Sequence, residues 1–312
     1  MDETGGTEPV PLPAHLIERY PRFSLYNSPY PAHDHGHAID LYPDDDAGRS
    51  GVSPVAGEVL DVRTVGCPDR PYAVDTDHLI VVDAGEHLAR ILHVDPAVEP
   101  GDSVAVGDSL GEMVRSGFFG RWVDNHVHLE FRGHDRNPYR ASGSLPLDVD
   151  VPVAALDWDG TGTVVETGDS YALLDAPGGR VDGYAAVGSD AGVPLDGGLA
   201  HYGAGGRFGP APGSSQLAAM SSPSASAGAT DATVVELLGE PVGIVDGRDV
   251  AWGDVTVLAN GDPITGLSLF ASRDDGFGVK LVTRPGAGDP QFGVGEDVRV
   301  STVSTDEPVR LD

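Results

Sequence analysis

Two histidines separated by one residue, His126 and His128, form the sharpest chemical motif of the sequence. Polar and apolar residues alternate around them, which is typical of a half-buried β-strand. Side chains at positions i and i+2 of a strand point to the same face about 7 Å apart. Both imidazoles and the carboxylate of Glu130 would therefore share one polar face. One imidazole could bind a metal ion while the other contacts a water or substrate beside it. The alternative is a structural pair of surface or core histidines.

A second group of candidate ligands lies in the segment His33-Asp-His35-Gly-His37-Ala-Ile-Asp40. Imidazole and carboxylate groups are good zinc ligands, and a catalytic zinc ion takes three protein ligands and keeps an open fourth position. Asp40 stands inside a short apolar run, where an unpaired carboxylate would be costly. It is therefore a ligand, a hydrogen-bonded group or a residue on the wet face of an edge strand. The alternative for the whole segment is a solvated surface loop.

A third candidate, His93, ends the apolar run Leu88-Ala-Arg-Ile-Leu. By itself, a histidine at the end of a strand is more typical of a structural residue than of a catalytic one. Short apolar runs separated by Gly, Asp and Pro continue from about residue 26 to residue 131, and this rhythm predicts strands joined by turns. Two Gly-Asp pairs flank Ser103-Val-Ala-Val106 and predict the turns that bound a short strand.

Taken in this order, the three elements resemble the lysostaphin/LytM-type zinc metalloendopeptidases. That family has a His-x-x-x-Asp near the start of its domain, a histidine that ends a middle strand, and a His-x-His on a late strand. Pro54-Val-Ala-Gly-Glu-Val-Leu is similar to the family's strand after the aspartate, and the segment from His93 to Glu112, with its two Gly-Asp pairs, is similar to its hairpin. The resemblance covers about residues 26 to 138 and implies a barrel-sandwich-like, duplicated hybrid β motif.

The resemblance also implies roles for individual residues of this sequence. Asp40 and His128 match zinc ligands of the family. His93 and His126 match the two histidines that do not bind the metal but hold the attacking water or the oxyanion. Glu130 shares the face of the His-x-His pair, so it would accept a hydrogen bond from an imidazole N–H behind the metal. The alternative for Glu130 is a solvated surface acid.

The first zinc ligand departs from the family pattern. The residue four positions before Asp40 is Gly36, and histidines stand on both sides of it. A slip of one residue would let either histidine reach the metal. We predict His37 as the first ligand, with His35 as the alternative. Without either of them the metal would have two protein ligands, and the chain would be a non-catalytic relative.

A complete site of this kind implies one zinc ion per chain and hydrolysis of peptide (amide) bonds. Zinc polarises the scissile carbonyl and lowers the pKa of its water toward about 7, while His126 or His93 takes the proton and holds the oxyanion. The family's usual targets are Gly-rich or D-amino-acid crosslinking peptides of bacterial walls. The sequence shows no signal-peptide pattern near its start. We therefore expect a cytoplasmic protein that acts on a different peptide or a peptide-like partner.

A non-catalytic module is the main alternative from another functional class. The strands near Pro54 and Gly101 also resemble the barrel-sandwich hybrid of biotinyl and lipoyl carrier domains. Those carriers need a modified lysine, and the only lysine is Lys280, far outside the segment. A metal-free binding or scaffold protein of the same architecture, without a complete zinc site, stays open. The sugar-phosphotransferase hybrid domains, which use two histidines, fit less well because an acidic protein is a poor partner for anionic phosphocarriers.

Acidic residues dominate the composition, with 49 Asp and Glu against 19 Lys and Arg and a formal net charge of −30. Such a surface repels phosphates, so we expect no binding to nucleic acids or to anionic membranes. Self-repulsion destabilises a compact fold unless salt screens it. We therefore predict a halophilic source with a high-salt cytosol, against the alternative of an ordinary acidic protein. The single cysteine, Cys67, excludes an intrachain disulfide and a thiolate zinc cluster.

Length and composition predict an all-β protein of two domains. The 312 residues include 43 Gly and 25 Pro, which favours many turns and short strands over long helices. We predict a flexible tail over residues 1–15 and the peptidase-like β domain over 16–150. Residues 151–312 would form a second antiparallel β domain without a predicted role. A Gly/Ser/Ala/Pro-rich loop at about 203–230 would interrupt it.

Overall fold

The computed structural model describes residues 8–44, 49–179, 181–209, 233–273 and 278–311. These residues form β-strands joined by turns, together with one α-helix of four residues and one 3-10 turn. The predicted all-β class with two large sheets is confirmed. Within the described ranges, no helix has the length and apolar character that crossing a membrane requires.

The first half of the chain contains twelve of the strands and the helix α1, which follows β1. In chain order these elements are β1 (Val10–Pro13), α1 (Ala14–Ile17), β2 (Arg22–Ser24), β3 (Ala38–Tyr42), β4 (Ser50–Val52), β5 (Gly57–Gly66), β6 (Thr76–Asp83), β7 (Leu88–Leu92), β8 (Val94–Pro96), β9 (Ser103–Val104), β10 (Ser109–Met113), β11 (Val127–Arg132) and β12 (Leu147–Asp150).

The second half of the chain contains the remaining described strands. In chain order they are β13 (Val153–Leu156), β14 (Thr161–Gly168), β15 (Tyr171–Leu174), β16 (Tyr184–Val187), β17 (Leu195–Leu199), β18 (Ala204–Arg207), β19 (Thr233–Leu237), β20 (Glu240–Asp246), β21 (Asp249–Trp252), β22 (Val255–Ala259), β23 (Asp262–Ile264), β24 (Gly266–Leu269), β25 (Ala271–Ser272), β26 (Lys280–Val282) and β27 (Asp297–Ser304). The 3-10 turn covers Pro285–Ala287.

The first sheet has ten strands in the order β13-β16-β25-β2-β3-β11-β7-β6-β5-β9. Three of them, β13, β16 and β25, come from the second half of the chain, so the boundary predicted near residue 150 does not separate the sheets. The aromatic side chains of Phe23 on β2 and Tyr184 on β16 pack edge to face, with ring centroids 5.0 Å apart. A continuous core therefore joins the two halves on this side of the protein.

The second sheet has twelve strands in the order β19-β20-β21-β18-β17-β24-β26-β15-β14-β27-β22-β23, with antiparallel pairing throughout. Leu174, Leu199 and Leu281 are fully buried in its own apolar core. Buried and exposed residues alternate along strands such as β27, which buries Val298, Val300 and Thr302 and exposes the residues between them. The prediction of a second antiparallel β unit is confirmed.

The predicted flexible tail is wrong for residues 10–15. Val10 and Leu12 are 5% and 1% exposed, and their strand pairs in parallel with β12, far along the chain. Two apolar side chains on one face of a short strand are sufficient to anchor it once a partner strand is available. Residues 1–7 of the tail lie outside the described residues.

The loop predicted at about 203–230 is wrong for residues 204–207, which form a strand. Ala204–Arg207 forms β18, which pairs with β17 on one side and β21 on the other. Gly206 packs against the ring of Tyr26 and Gly205 against the indole of Trp252 so closely that a Cβ would overlap either aromatic group. A glycine-rich sequence therefore serves close strand packing here. Residues 210–232 lie outside the described residues.

Candidate metal centre

Three neighbouring strands at the centre of the first sheet carry the predicted site residues. His128 on β11 lies directly opposite Asp40 on β3 and opposite Leu92 on β7. The alternation along β11 turns Val127 and Leu129, both 0% exposed, toward the apolar core. The opposite face is left for the imidazole and carboxylate side chains, as the sequence pattern predicts.

His33, Asp40 and His128 bring three donor atoms together. His33 Nε2 lies 3.2 Å from His128 Nδ1 and 3.5 Å from Asp40 Oδ1, and His128 Nδ1 lies 2.9 Å from Asp40 Oδ1. Around a tetrahedral zinc ion with bonds of about 2.0–2.1 Å, ligand atoms lie about 3.3–3.4 Å apart. All three side chains are buried. The donor set therefore fits one metal ion with three protein ligands and a fourth position for another ligand.

Hydrogen bonds behind the ligands select the nitrogen that faces the metal position. His33 Nδ1 lies 2.8 Å from the carbonyl oxygen of Leu25, so Nδ1–H donates there and Nε2 keeps its lone pair. His128 turns Nδ1 toward the group, and its Nε2 lies 3.8 Å from Oε1 of Glu130. The rings are therefore oriented as metal ligands require.

The structure corrects the predicted first ligand. His33 joins Asp40 and His128, whereas His37 and the alternative, His35, are not members of the group. The chain turns at His33–Gly36, where the N–H of Gly36 donates to the carbonyl of His33 and Gly36 has a left-handed φ of 60°. This turn brings the histidine seven residues before Asp40 back to the strand. The prediction of His37 used the spacing of the family's shorter His-x-x-x-Asp segment, and this spacing does not apply to the longer segment from His33 to Asp40.

His126 and His93 lie beside the three-residue group. His126 Nε2 is 3.4 Å from Asp40 Oδ1, and its Nδ1–H donates to the carbonyl oxygen of Asp124 over 2.8 Å. The ring of His93 is 5.0 Å from that of His126 and 5.6 Å from that of His128, centroid to centroid. Both predicted non-ligand histidines thus stand next to the metal position.

Burial and mutual contacts set the protonation of these groups. Burial raises the pKa of Asp40, but the imidazoles of His126, His33 and His128 outweigh it and hold this pKa well below its ordinary value. Burial lowers the pKa of His126 to about 4 and that of His128 to about 3, although Asp40 opposes the shift. At neutral pH the carboxylate is ionised and the two rings are neutral, which are the states that bind a metal.

Asp77 is a site residue that the sequence analysis missed. Its carboxylate is fully buried and lies 2.5 Å from Nδ1 of His93, and it also accepts hydrogen bonds from Ser116 Oγ and from the backbone N–H of His93. His93 has a left-handed φ of 71°, a conformation that these bonds help to hold. Burial raises the pKa of Asp77, but the interaction with His93 and the hydrogen bonds that Asp77 accepts lower this pKa to about 2. An aspartate beside the apolar run His78-Leu-Ile-Val-Val was the available signal.

Glu130 is buried rather than solvated. Its two carboxylate oxygens accept hydrogen bonds from the guanidinium of Arg90 and from the hydroxyl of Ser144, and Arg132 Nη2 lies 3.4 Å from Oε2. The 3.8 Å separation from His128 Nε2 is too long for a hydrogen bond. Glu130 thus lies behind the ligand histidine, in the position expected from the alternation, but its direct partners are cations and a hydroxyl.

The site residues line one cavity of about 200 Å³. The metal group, His93 and His126 form its polar wall. Arg90 and Glu130 also line it. Most of the remaining lining is aromatic or aliphatic and includes Tyr30, Val65, Leu79, Leu92, Phe118, Phe119 and Tyr139. A ligand in this cavity would therefore meet a compact metal and imidazole surface inside an apolar surround, a combination typical of small-molecule and peptide sites.

The second half of the chain holds the loop that carries His33. Arg248 is 3% exposed and donates to the carbonyl oxygens of Leu147 and Gly36 over 2.8 Å and 3.4 Å. The neighbouring Asp249 accepts hydrogen bonds from His35 and from Tyr26. The second half of the chain, to which no chemical role was assigned from the sequence, therefore supports the turn that carries His33.

Comparison with protein families places this arrangement in a family of unknown function. Residues 11–149 match the family model described as the domain of unknown function (DUF8155) N-terminal domain, and residues 154–303 match the model for the DUF8155 C-terminal domain. The two matches follow each other along the chain and together cover most of it, so the chain belongs to this family. Neither a curated protein nor a solved structure gives a significant match.

Proposed function

We propose that this protein is a zinc-dependent, metallopeptidase-like hydrolase of peptide bonds, similar to the lysostaphin/LytM-type enzymes. The buried group of His33, Asp40 and His128 carries the proposal, because its three donor atoms fit a tetrahedral zinc ion. His93 and His126 line the same cavity, as acid–base groups for hydrolysis should. Two nitrogen donors and one carboxylate match the preference of zinc over calcium or magnesium.

The two non-ligand histidines have different partners, which supports different roles. A bound zinc ion would polarise the scissile carbonyl and lower the pKa of an attacking water to about 7. His126 donates through Nδ1 to a backbone carbonyl, so its Nε2 lone pair accepts the proton of the water. His93 has the carboxylate of Asp77 behind Nδ1, which compensates a positive charge on the ring. His93 therefore stabilises the oxyanion, and the proton that His126 takes from the water passes to the leaving amine.

Exchange of His33 tests the metal site against its nearest alternative. We expect purified wild-type protein in molar KCl to hold close to one zinc ion per chain by metal mass spectrometry. His33→Ala should lose it, because two protein ligands bind zinc far more weakly than three. His37→Ala is the matched control from the same segment and should keep wild-type zinc content.

The opposite pattern, with zinc lost in His37→Ala and kept in His33→Ala, would overturn the ligand assignment. The enzymatic part of the proposal is tested by incubating the zinc-loaded protein with a mixed peptide library and following cleavage by mass spectrometry. New termini that form with wild type but not with His33→Ala are expected. Bound zinc without any cleavage would instead establish a metal-containing binding or scaffold protein.

Asp77→Asn should slow the reaction without emptying the site. The amide cannot compensate a charged His93 ring, so we expect kcat to fall about 10- to 100-fold, with unchanged KM and unchanged zinc content. Asp95→Asn is the control, because Asp95 lies 3.5 Å from Nε2 of His78 in an exposed aspartate–histidine pair. A rise in KM at constant kcat, or loss of zinc, would show that Asp77 supports the fold or the metal instead of the ring.

A further inference from the structure

A buried arginine stands beside the metal group in the same cavity. Arg90 on β7 lies directly opposite Glu130 on β11, two residue pairs along from Leu92 and His128. Side chains two residues apart on a strand share a face, so Arg90 lies on the same face as the ligands, about 7 Å along it. It lines the cavity although only 5% of its surface is exposed. The proposed mechanism gives this residue no role.

The charges around Arg90 are unbalanced. Arg90 and Arg132 both pair with the single carboxylate of Glu130, and the Nε atoms of both arginines are buried without a hydrogen-bond partner among the described residues. Glu130 also accepts the hydroxyl of Ser144, which leaves less of its capacity for the cations. Two buried cations therefore share one anion in a chain with a net charge of −30.

Neighbouring groups increase this local excess of positive charge. Burial and the repulsion from Arg132 lower the pKa of Arg90 to about 9, in agreement with incomplete compensation of its charge. Asp40, the carboxylate of the metal group, would neutralise only one charge of a divalent ion. Glu130 and Asp40 together balance the two arginines, so with a divalent ion bound the polar end of the cavity would be cationic, whereas most of its other lining is apolar. A buried guanidinium of this kind is a common partner for carboxylates.

We propose that Arg90 binds a carboxylate of the substrate, so that this protein prefers peptides with a free carboxylate within two residues of the scissile bond. This inference rests on the proposed hydrolase function, for which it names the substrate class. The separation of about 7 Å along the strand equals two residues of an extended chain. A C-terminal carboxylate or an acidic side chain next to the scissile peptide would both fit this distance.

Binding of small carboxylates tests the inference without catalysis. Zinc-loaded protein is titrated with N-acetylphenylalanine and with its amide, which share the apolar ring and differ in charge. We expect the acid to bind at least about tenfold more tightly to wild type. Arg90→Gln should remove this preference, and Arg136→Gln should retain it because Arg136 is exposed and does not line the cavity. An acid preference that persists unchanged in Arg90→Gln would show that the carboxylate binds the metal and would overturn the inference.

Equal binding of the acid and the amide to wild-type protein would overturn the inference, whether or not Arg90→Gln folds. Arg90→Lys keeps the charge and should keep part of the preference. Cleavage assays then distinguish the two carboxylate sources by comparing peptides with a free C-terminus, an amidated C-terminus, or an internal glutamate and an amidated C-terminus. Absence of cleavage with a preserved acid preference would reject the hydrolase and leave a carboxylate-binding site. Cleavage without any acid preference would reject only the role of Arg90.

Discussion

Asp40→Asn is expected to weaken zinc binding by at least about a hundredfold, or about 2.7 kcal/mol, and to reduce peptide hydrolysis to the background. The amide keeps the size of the side chain but removes the only anionic ligand of the group. The carboxylate lies 2.9 Å from His128 Nδ1, 3.4 Å from His126 Nε2 and 3.5 Å from His33 Nε2. Its loss therefore affects every imidazole at the site. Zinc affinity is measured by competition with a chromophoric chelator.

Asp34→Asn is the matched control for this experiment. Asp34 lies in the same segment, is partly exposed and is not a member of the metal group. We expect wild-type zinc affinity and cleavage for this variant. Near wild-type zinc affinity in Asp40→Asn, together with a preserved fold by circular dichroism, would contradict the proposed centre. Near wild-type zinc affinity in folded His128→Ala would contradict the assignment of His128, on β11, as a ligand.

The strand residues of the site were predictable because a strand fixes the direction of its side chains. The spacing of His126, His128 and Glu130 places all three on one face, and the structure shows this arrangement. Asp40 was identified by a carboxylate in an apolar run, and the pairing of β3 with β11 brings it opposite His128. Local alternation therefore predicted the shared face, and the apolar run indicated that Asp40 needs a partner, while its role as a ligand came from the family resemblance.

The first ligand was not predictable from spacing because it lies in a turn. In a turn, unlike a strand, no regular repeat of the backbone fixes the direction in which a side chain points. His33 is oriented by the carbonyl of Leu25, and the turn is held by Arg248 from the other half of the chain. Asp77 was missed for a related reason, since its contact with His93 depends on the alignment of neighbouring strands. Contacts between distant segments leave no pattern in the sequence near either partner.

The same reason explains the failure to predict how the two halves combine. Strands β13, β16 and β25 resemble other short apolar runs of the second half, and nothing local assigns them to the first sheet. One residue that joins the halves is Asp196 on β17. Its carboxylate is 0% exposed and accepts hydrogen bonds from Ser24 Oγ and from the backbone N–H groups of Leu25 and Tyr26.

Asp196→Ala is expected to lower the free energy of unfolding by about 3 kcal/mol. The substitution leaves a buried hydroxyl and two buried N–H groups without an acceptor, and each such loss costs about 1–3 kcal/mol before relaxation. Urea unfolding in molar KCl measures the change. Asp190→Ala is the control, because Asp190 also accepts two backbone N–H groups, of Leu238 and Gly239, but at an exposed position. A loss below about 1 kcal/mol is expected there.

The pH dependence of stability separates the charge of Asp196 from its hydrogen bonds. Burial raises the pKa of Asp196 from 3.8 to about 7, although its hydrogen bonds oppose the shift. Between these values the native state binds more protons than the unfolded state, so this contribution to stability is complete below pH 3.8 and is lost as the pH rises through about 7. Asp196→Asn cannot titrate. The stability of wild type relative to this variant should therefore fall with rising pH, by up to about 1.4 kcal/mol per pH unit.

The Asp196 substitutions also test whether the contacts between the two halves of the chain support the metal group. Asp196 holds the backbone at Leu25, and the carbonyl of Leu25 accepts the hydrogen bond that orients His33. Asp196→Ala should therefore weaken zinc binding as well as stability. Asp196→Asn should largely retain zinc affinity, because its amide oxygen can still accept the N–H groups of Leu25 and Tyr26. Competition with a chelator at a temperature where both variants are folded measures this effect. Unchanged zinc affinity in folded Asp196→Ala would show that the turn at His33 is positioned without this contact.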